Sequence, residues 1–251
     1  MESLLVVEKL SKRFEEVQAV KELSLRIDPG EVVALVGPNG CGKTTALRCI
    51  CTIMKADTAR IRICGHDAWD EGEKARQQIG FVPELPYPYP YLTVNEHLRF
   101  ICRAYSVKGW EARAEKLLKE FDLYDKRDEL AYTLSKGMRQ KLLLISALIH
   151  EPKVLVLDEP MIGVDPKGAR ALKDNVRALA ARGGCVLVSS HILSLVEEVC
   201  DRVLVMVKGA LVAQGTIPEI IKLADSKDAS LEEAFLAITS RETESDNEES
   251  S

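Results

Sequence analysis

Residues 37–45 carry the glycines and side chains that could bind a polyphosphate. They read Gly-Pro-Asn-Gly-Cys-Gly-Lys-Thr-Thr, which matches the pattern G-x-x-x-x-G-K-[ST], and they lie between an apolar strand pattern and a helix start. The glycines let backbone N–H groups curl around phosphate oxygens without a Cβ in the way. The positive end of the predicted helix points at the same anion. The residues predicted to contact the phosphates are Gly37, Pro38, Asn39, Gly40, Cys41, Gly42, Lys43, Thr44 and Thr45.

Three side chains of this loop are predicted to have distinct chemical roles. Lys43 is expected to reach the β- and γ-phosphates, and the Thr44 hydroxyl to bind Mg²⁺. Cys41 lies at the amino end of the predicted helix, where a thiolate is favoured, so it is a candidate reactive thiol. A second interpretation of Cys41, compatible with the first, is a small residue that fits the loop.

A second pattern supplies carboxylates for hydrolysis. The apolar run from Val154 to Leu157 ends in Asp158 and Glu159. Side chains alternate along a strand, so these two carboxylates point in different directions and can have different functions. Asp158 is suited to Mg²⁺, directly or through water, and Glu159 to polarising the attacking water.

Upstream of these carboxylates lies the stretch Leu134-Ser-Lys-Gly-Met-Arg-Gln140, in which Ser135 is a natural helix N-cap. Here the chain resembles the ATP-binding-cassette (ABC) ATPases, whose signature sequence is Leu-Ser-Gly-Gly-Gln or a close relative. In that family, the signature helix of one subunit points at the γ-phosphate that the other subunit holds. The resemblance therefore implies ATP and Mg²⁺ as cofactors, a second nucleotide-binding subunit, and contacts to its nucleotide from Ser135, Gly137 and Gln140.

Four further positions match family motifs in the expected order. The resemblance implies that Phe14 stacks on adenine, that Glu84 lies in the glutamine loop, that Asp165 lies in the loop that crosses to the partner subunit, and that His191 is the switch histidine at the γ-phosphate. The catalytic residues are then Glu159, His191 and Lys43, and the metal ligands are Thr44, Asp158 and Glu84. The resemblance covers about residues 4–239.

Two positions depart from the family pattern. Glu84 replaces the usual glutamine, which adds a negative charge beside the phosphates. Lys136 replaces the first glycine of the signature, and its side chain either adds a cation near the phosphate or, as the favoured prediction, projects into solvent. Signatures of the type Ser-Lys-Gly-Met are similar to those of ATPases that power two-component exporters of antibiotics, lantibiotics or sodium.

Composition restricts the partners. The 251 residues carry a formal net charge of −5, and five acidic residues fall within the last ten, so no basic face for nucleic acid is expected. The seven cysteines have no paired spacing, which indicates a reducing compartment. With no signal-peptide pattern and no apolar run of about 20 residues, the protein is predicted to be cytoplasmic and peripheral on the inner face of the cell membrane through a membrane partner.

The pattern along the chain predicts an α/β fold of the P-loop NTPase type. Alternating segments at Leu4–Glu8, Leu23–Ile27 and Ala59–Cys64 predict an N-terminal antiparallel β subdomain. Continuous apolar runs at Val32–Val36, Val154–Leu157 and Val186–Ser189 predict a RecA-like parallel sheet that is covered on both faces. One ABC ATPase domain is expected over 1–240, with its core at 1–91 and 151–215, an inserted ABC helical subdomain at 92–150 and a C-terminal helix region at 216–240. An acidic, disordered tail is expected at 241–251.

The segment from Pro83 to Pro90 alternates prolines with tyrosines and predicts a stiff, exposed loop. Because relatives contact their transmembrane partner just after the glutamine loop, Tyr87, Tyr89 and Tyr91 are predicted to contact transmembrane permease subunits. The function predicted is thus an ATPase subunit of an exporter. The alternative is a cytosolic ABC ATPase that acts on a soluble assembly scaffold. A P-loop GTPase or small-molecule kinase is disfavoured, because the base-specifying Asn-Lys-x-Asp is absent and the signature has no function in either.

Overall fold

The computed structural model of the chain describes residues 2–223 and 230–248, with side chains described up to residue 240. These residues form ten strands and nine α-helices. The strands are β1 Leu5–Phe14, β2 Val17–Ile27, β3 Val32–Val36, β4 Thr58–Ile63, β5 His66–Asp67, β6 Ile79–Val82, β7 Val154–Asp158, β8 Cys185–Ser189, β9 Arg202–Val207 and β10 Ala210–Thr216. The helices are α1 Lys43–Ile50, α2 Gly72–Gln77, α3 Val94–Ala104, α4 Glu111–Glu120, α5 Lys136–Leu148, α6 Pro166–Ala181, α7 Leu193–Val199, α8 Ile217–Ile221 and α9 Leu231–Glu248.

The three alternating segments near the amino end form a small antiparallel sheet, as predicted. Its order is β2-β1-β4-β5, and Val7 pairs with Leu25 on one side and with Ile61 on the other. All three of these side chains are buried, because period-two alternation places them on the face that meets the core. Strands β1 and β2 extend well beyond the predicted segments.

The continuous apolar runs form the central sheet, in the order β10-β9-β3-β8-β7-β6. Strands β9, β3, β8, β7 and β6 are parallel, and β10 returns antiparallel to β9. The predicted α/β class with a parallel core and an antiparallel subdomain is therefore confirmed. Strand β6 was not predicted, since four residues that contain a glycine and precede Pro83 give too short an apolar run to distinguish.

The central sheet is buried on both faces, as its continuous apolar strands require. Along β3, Val32, Ala34 and Val36 belong to one hydrophobic cluster, and Val33 and Leu35 to the other. The first cluster also contains residues of α3–α6, and the second contains residues of α1 and the small sheet. The sheet is thus held between the helical segment on one side and α1 with the antiparallel subdomain on the other.

Helices α3, α4 and α5 lie within the predicted insert at 92–150. Helix α3 begins with a capping box, in which Glu96 N donates to Thr93 Oγ1 at 3.1 Å and Thr93 N donates to Glu96 Oε2 at 2.8 Å. Leu98 and Phe121 pack into the same cluster as the central sheet. The insert therefore shares the core of the sheet, and its limits as a subdomain stay a prediction.

The carboxyl end differs from the prediction. Helix α9 continues to Glu248, so residues 241–248 are helical where composition predicted disorder from 241 onward. Once a helix is nucleated, adding each further residue is nearly neutral in free energy, so packing of Leu231 and Ala234 can support a polar extension. Residues 249–251 of the predicted tail lie outside the described residues. None of the described helices is long and apolar enough to cross a membrane.

Candidate active site

A cleft of about 770 Å³ at the carboxyl edge of the central sheet brings the predicted chemistry together. Its lining includes Asn39, Gly40, Gly42, Lys43, Thr44, Thr45, Glu84, Glu159, Ile162 and His191. These residues follow β3, β6, β7 and β8, and carboxyl ends of neighbouring parallel strands meet at one edge of a sheet. A larger open groove of about 920 Å³ lies on the small sheet, but none of the predicted site residues lines it.

The phosphate loop is closed by its own lysine and by a tight backbone approach. Lys43 Nζ donates to the carbonyl oxygens of Gly37 at 2.7 Å and Pro38 at 3.1 Å. Gly42 has φ = 107°, and a Cβ built there would lie 2.1 Å from the Ala19 carbonyl oxygen. Only glycine accommodates both that dihedral angle and that contact. The loop therefore holds its curvature through interactions within the chain.

The expectation that Cys41 is an activated thiol is wrong. The side chain is buried in the hydrophobic cluster on the side of α1, and it does not line the cleft. Burial raises the pKa of the thiol, and the nearby Lys43 ammonium offsets this only in part. Desolvation of the thiolate therefore outweighs the helix terminus, and Cys41 is the small residue that fits the loop.

Asp158 presents an unsatisfied oxygen. The side chain is 1% exposed, and its Oδ1 accepts a hydrogen bond from Ser189 Oγ at 2.6 Å. Its Oδ2 is buried without a hydrogen-bond partner, which is rare for a carboxylate unless a cation or ligand completes it. Among residues 2–223 and 230–240, no three acidic, histidine or cysteine side chains group around a metal site. A cation here would thus take its remaining ligands from hydroxyl, phosphate and water oxygens, as Mg²⁺ does.

Glu159 and His191 are in direct contact. His191 Nδ1 donates to Glu159 Oε2 at 2.8 Å, while Glu159 is 7% exposed and sits in the left-handed region at φ = 46°. Such a backbone conformation is strained for a residue with a Cβ and is typical of functional sites. The contact leaves Glu159 Oε1 free to orient a water molecule and leaves His191 Nε2 free for a second partner.

Ser189 is a site residue that the motif analysis missed. Its hydroxyl donates to Asp158 Oδ1 and accepts from the backbone N–H of Glu159 at 3.0 Å. Ser189 ends β8 directly opposite Asp158 in the ladder with β7, so strand register brings the hydroxyl to both carboxylate residues. The only signal in the sequence was its place at the end of an apolar run.

The signature residues lie outside this cleft. Ser135 caps α5 by accepting a hydrogen bond from Met138 N at 3.2 Å, so its own hydroxyl proton remains available to an acceptor. Neither Ser135 nor Gly137 lines the cleft formed by the phosphate loop. Lys136 is exposed, as predicted.

Gln140 is buried within its own subunit. Its side chain is buried, and both polar atoms of its amide lack hydrogen-bond partners. Gln140 lies one helical turn before Leu144, which is also buried, so the helix period turns this side chain towards the core. Contact between Gln140 and the nucleotide of a partner subunit stays a prediction.

Asp165 uses both carboxylate oxygens inside its own chain. Its Oδ1 accepts from Gly168 N at 2.7 Å and caps α6, and its Oδ2 accepts from Lys141 Nζ at 2.7 Å. Those two hydrogen bonds, first that from Lys141, lower the pKa of the carboxyl group. A contact between Asp165 and a nucleotide across a dimer stays a prediction.

Phe14 and Glu84 are accessible. Phe14 is 43% exposed at the end of β1, and the following hairpin residues Val17 to Ala19 line the cleft although Phe14 itself does not. Lys12 Nζ lies 5.5 Å from the centroid of the Phe14 ring. Glu84 is exposed after β6 and lines the cleft with Thr44 and Glu159. Adenine stacking by Phe14 and metal binding by Glu84 stay predictions.

Comparison with known proteins agrees with this geometry. The ABC transporter family model matches residues 20–162. The chain is 34% identical to the ABC-type transporter ATP-binding protein EcsA of Bacillus subtilis (strain 168), over 94% of this chain and 97% of that protein. It is 36% identical to the Nod factor export ATP-binding protein I of Burkholderia thailandensis, over 86% of this chain and 71% of that protein.

Two solved structures extend the comparison to the fold. The ATP-binding subunit of an ABC transporter superposes with a TM-score of 0.90 at 34% identity, and the match covers 94% of this chain and all of that one. A dimeric ATP-binding cassette in a post-hydrolysis state, bound to ADP and Pi, superposes with a TM-score of 0.77 at 25% identity. That match covers 84% of this chain and 98% of the other.

Proposed function

Because the chain belongs to the ABC transporter family, as an ATP-binding subunit that hydrolyses ATP, we propose that it works as a dimer and powers export through a separate transmembrane permease. The observation that carries the proposal is a separation of groups. Lys43, Glu159 and His191 line one cleft, whereas Ser135 and Gly137 lie outside it. A second subunit packed head to tail would bring its signature residues to the open side of that cleft.

Within the cleft, hydrolysis is phosphoryl transfer to water, in which positioning and charge stabilisation supply most of the rate. Lys43 and the N–H groups of the phosphate loop would hold the β- and γ-phosphates. Glu159 would accept a proton from the attacking water through Oε1, while its Oε2 stays bound to His191. His191 would hold the γ-phosphate and respond to its loss. Its hydrogen bond to Glu159 would join that response to the catalytic base.

The residues at the cleft fit a Mg²⁺ ion. Thr44 and Glu84 line the cleft close to the phosphate loop, and Asp158, which precedes Glu159 and does not itself line the cleft, has a buried and unpaired Oδ2. When bound, Mg²⁺ would neutralise charge on the β- and γ-phosphates. Because Glu84 stands where the family usually has glutamine, it would bring a second carboxylate, beside that of Asp158, to the ion.

An exposed aromatic surface supports contact with a membrane partner. Tyr87 and Tyr91 are 81% and 82% exposed, and the Tyr89 ring packs edge-to-face on Phe100 at 4.9 Å between centroids. This surface begins three residues after Glu84, so a partner that binds it would lie close to the nucleotide cleft. Exposed aromatic side chains are enriched in protein interfaces. We infer that a permease subunit binds here and holds the chain at the cytoplasmic face of the membrane.

The direction of transport is inferred from relatives. One similar protein is named as a Nod factor export ATP-binding protein, and the Ser-Lys-Gly-Met signature favours the same branch. The proposed cargo therefore moves outward. The alternative partner is a soluble assembly scaffold, and the alanine variants described below separate it from a membrane permease.

Replacing Phe14 by alanine should raise the KM for ATP by about tenfold, since base–aromatic stacking contributes roughly 1–3 kcal/mol. The turnover number should change little, because no reacting group is altered. Steady-state hydrolysis against ATP concentration measures both values. Trp69→Ala is the matched control, because Trp69 is similarly exposed, at 42%, but follows β5 at the opposite edge of the small sheet from the hairpin that lines the cleft. An unchanged KM would remove Phe14 from the site.

Replacing Tyr87, Tyr89 and Tyr91 together by alanine should leave hydrolysis by the isolated subunit within a few-fold of normal. The same variant should lose co-purification with an integral membrane protein, because the contact area is removed while the cleft is intact. Trp69→Ala again serves as the control for loss of an exposed aromatic ring. Full recovery of the membrane complex by the triple variant would contradict the proposed surface, and capture of a soluble scaffold instead would favour the alternative function.

A further inference from the structure

Ser189 places a buried hydroxyl group between the two carboxylate residues of the site. It ends β8, which lies between β3 and β7 in the central sheet, and its side chain is fully buried. The other residues of β8 are buried and apolar, so a hydroxyl there is destabilising unless its hydrogen bonds are made. Both bonds go to the site, since the hydroxyl donates to Asp158 Oδ1 at 2.6 Å and accepts from Glu159 N at 3.0 Å.

These two partners fix the direction of the hydroxyl proton. A backbone N–H can only donate, so the Ser189 oxygen accepts from Glu159 N and its own proton points at Asp158. The distance of 2.6 Å to Asp158 Oδ1 is in the range of charge-assisted O–H···O⁻ bonds. Ser189 therefore binds the carboxylate strongly and in one orientation.

For Asp158, this bond selects the carboxylate oxygen that is left for a ligand. The terminal torsion of an aspartate side chain is broad, so the side chain by itself selects neither oxygen. Because Ser189 holds Oδ1, the remaining oxygen is Oδ2, which is buried and has no hydrogen-bond partner among the described residues. Without the hydroxyl, Oδ1 would also lose its partner and the carboxylate could turn.

For Glu159, the same residue holds the backbone next to the proposed base. Glu159 has φ = 46°, and such a strained conformation persists only where surrounding contacts maintain it. Its N–H is shared between the hydroxyl of Ser189 at 3.0 Å and the carbonyl oxygen of Ser189 at 3.2 Å. His191 holds the side chain at Oε2. Ser189 and His191 thus restrain Glu159 at its backbone and at its carboxylate.

We propose that Ser189 is a positioning residue for ATP hydrolysis, whose hydroxyl orients Asp158 towards Mg²⁺ and holds Glu159 in the conformation of the base. This inference rests on the functions proposed above for Asp158 and Glu159. Residues that hydrogen-bond to metal-binding carboxylates orient them, and replacing such residues usually costs about 10–100-fold in metal affinity or activity. The neighbouring Ser190 has a different function, because its hydroxyl accepts from Ile192 N at 3.0 Å.

The first test measures nucleotide binding, which needs no turnover. The affinity of the full chain for a fluorescent, non-hydrolysable ATP analogue is compared in Mg²⁺ and in EDTA. Ser189→Ala should bind the analogue in EDTA nearly as tightly as the native chain, because the phosphate loop is intact. The factor by which Mg²⁺ tightens binding should fall by about tenfold or more. Ser146→Ala is the control, because Ser146 is also buried but its hydroxyl donates to Leu142 O within α5.

Two variants of equal size separate the hydroxyl from the space that it fills. Ser189→Thr keeps a hydroxyl, and Ser189→Val has nearly the same shape without one. The threonine variant should retain most of the tightening by Mg²⁺, and the valine variant should lose it as Ser189→Ala does. Thermal unfolding shows whether each variant is folded. An equal loss in both would mean that side-chain volume, and not the hydroxyl, controls metal binding, and would overturn the proposal.

Turnover tests the link to Glu159. At saturating Mg²⁺ and ATP, Ser189→Ala should lose about 10–100-fold in turnover number. In a chain that already carries Glu159→Gln, the same change should cost less, because part of its effect acts through a base that is absent. The loss of tightening by Mg²⁺ should be the same in both backgrounds. An equal loss of turnover in both would contradict the action of Ser189 on Glu159.

Asp158→Asn distinguishes this inference from the proposed metal site. It should remove the tightening by Mg²⁺, since an amide replaces the charged ligand. Loss in Asp158→Asn with native behaviour of Ser189→Ala would overturn the positioning role alone. Native behaviour of Asp158→Asn, or no tightening by Mg²⁺ in the native chain, would overturn both. Because binding is measured on the chain by itself, the result holds whether or not the proposed dimer and permease are found.

Discussion

Glu159→Gln should lose about 10²–10⁴-fold in ATP turnover, which is the usual contribution of a general base, while ATP binding is kept. Glutamine has nearly the same shape as glutamate and can still accept a hydrogen bond from His191 through its amide oxygen. It cannot take a proton from water. The effect should therefore fall on the turnover number rather than on the KM. ATP that binds without being hydrolysed should also hold the two subunits together.

Steady-state hydrolysis and ATP-dependent sedimentation measure these two consequences. Glu111→Gln is the matched control, because Glu111 is an exposed carboxylate in α4 that does not line the cleft. It should behave like the native chain in both measurements. Hydrolysis by Glu159→Gln at near-normal rate would remove Glu159 as the base, and would leave Asp158 as a metal ligand unaffected.

Ser135→Ala should abolish most hydrolysis while the isolated subunit still binds ATP. The hydroxyl lies outside the subunit's own cleft, so the loss would arise at the partner's nucleotide. Loss of the cap destabilises α5 by about 0.5–2 kcal/mol, and thermal unfolding shows whether the fold survives this change. Lys136→Ala, at the exposed neighbouring position, should retain hydrolysis.

Complementation gives the decisive measurement for the composite site. Ser135→Ala retains Glu159, and Glu159→Gln retains Ser135, so a mixed dimer would contain one intact site. Mixing the two inactive chains should therefore restore part of the hydrolysis, and the rate should rise with protein concentration. Ser135 is preferred to Gly137 here, because a side chain at Gly137 would strike Gly163 in its own chain. Two chains that remain inactive when mixed would contradict a shared site.

Much of the site follows from local spacing. The phosphate loop and the carboxylate pair after β7 each combine a buried apolar strand with polar residues at its carboxyl end, whereas the role of His191 after β8 was implied by the family resemblance. Parallel strands bring such ends to one edge whatever the details of packing. The α/β class and the antiparallel subdomain could be predicted from periodicity alone, because alternating apolar segments form half-buried strands and continuous ones form strands that are buried on both faces.

Other features depend on contacts between residues that are distant in the chain, and only the tertiary structure decided them. Ser189 joins Asp158 and Glu159 because strand register places it there, and Cys41 is buried in a cluster formed by β3, α1 and the small sheet. Gln140 is buried within its own subunit because the helix period turns it inward.

The ion pair between Lys141 and Asp165 could not be foreseen either, since 24 residues separate the partners. A motif fixes which groups are present and their order along the chain. Burial, strand register and the close approach at glycines then decide which of those groups are charged, accessible and in contact.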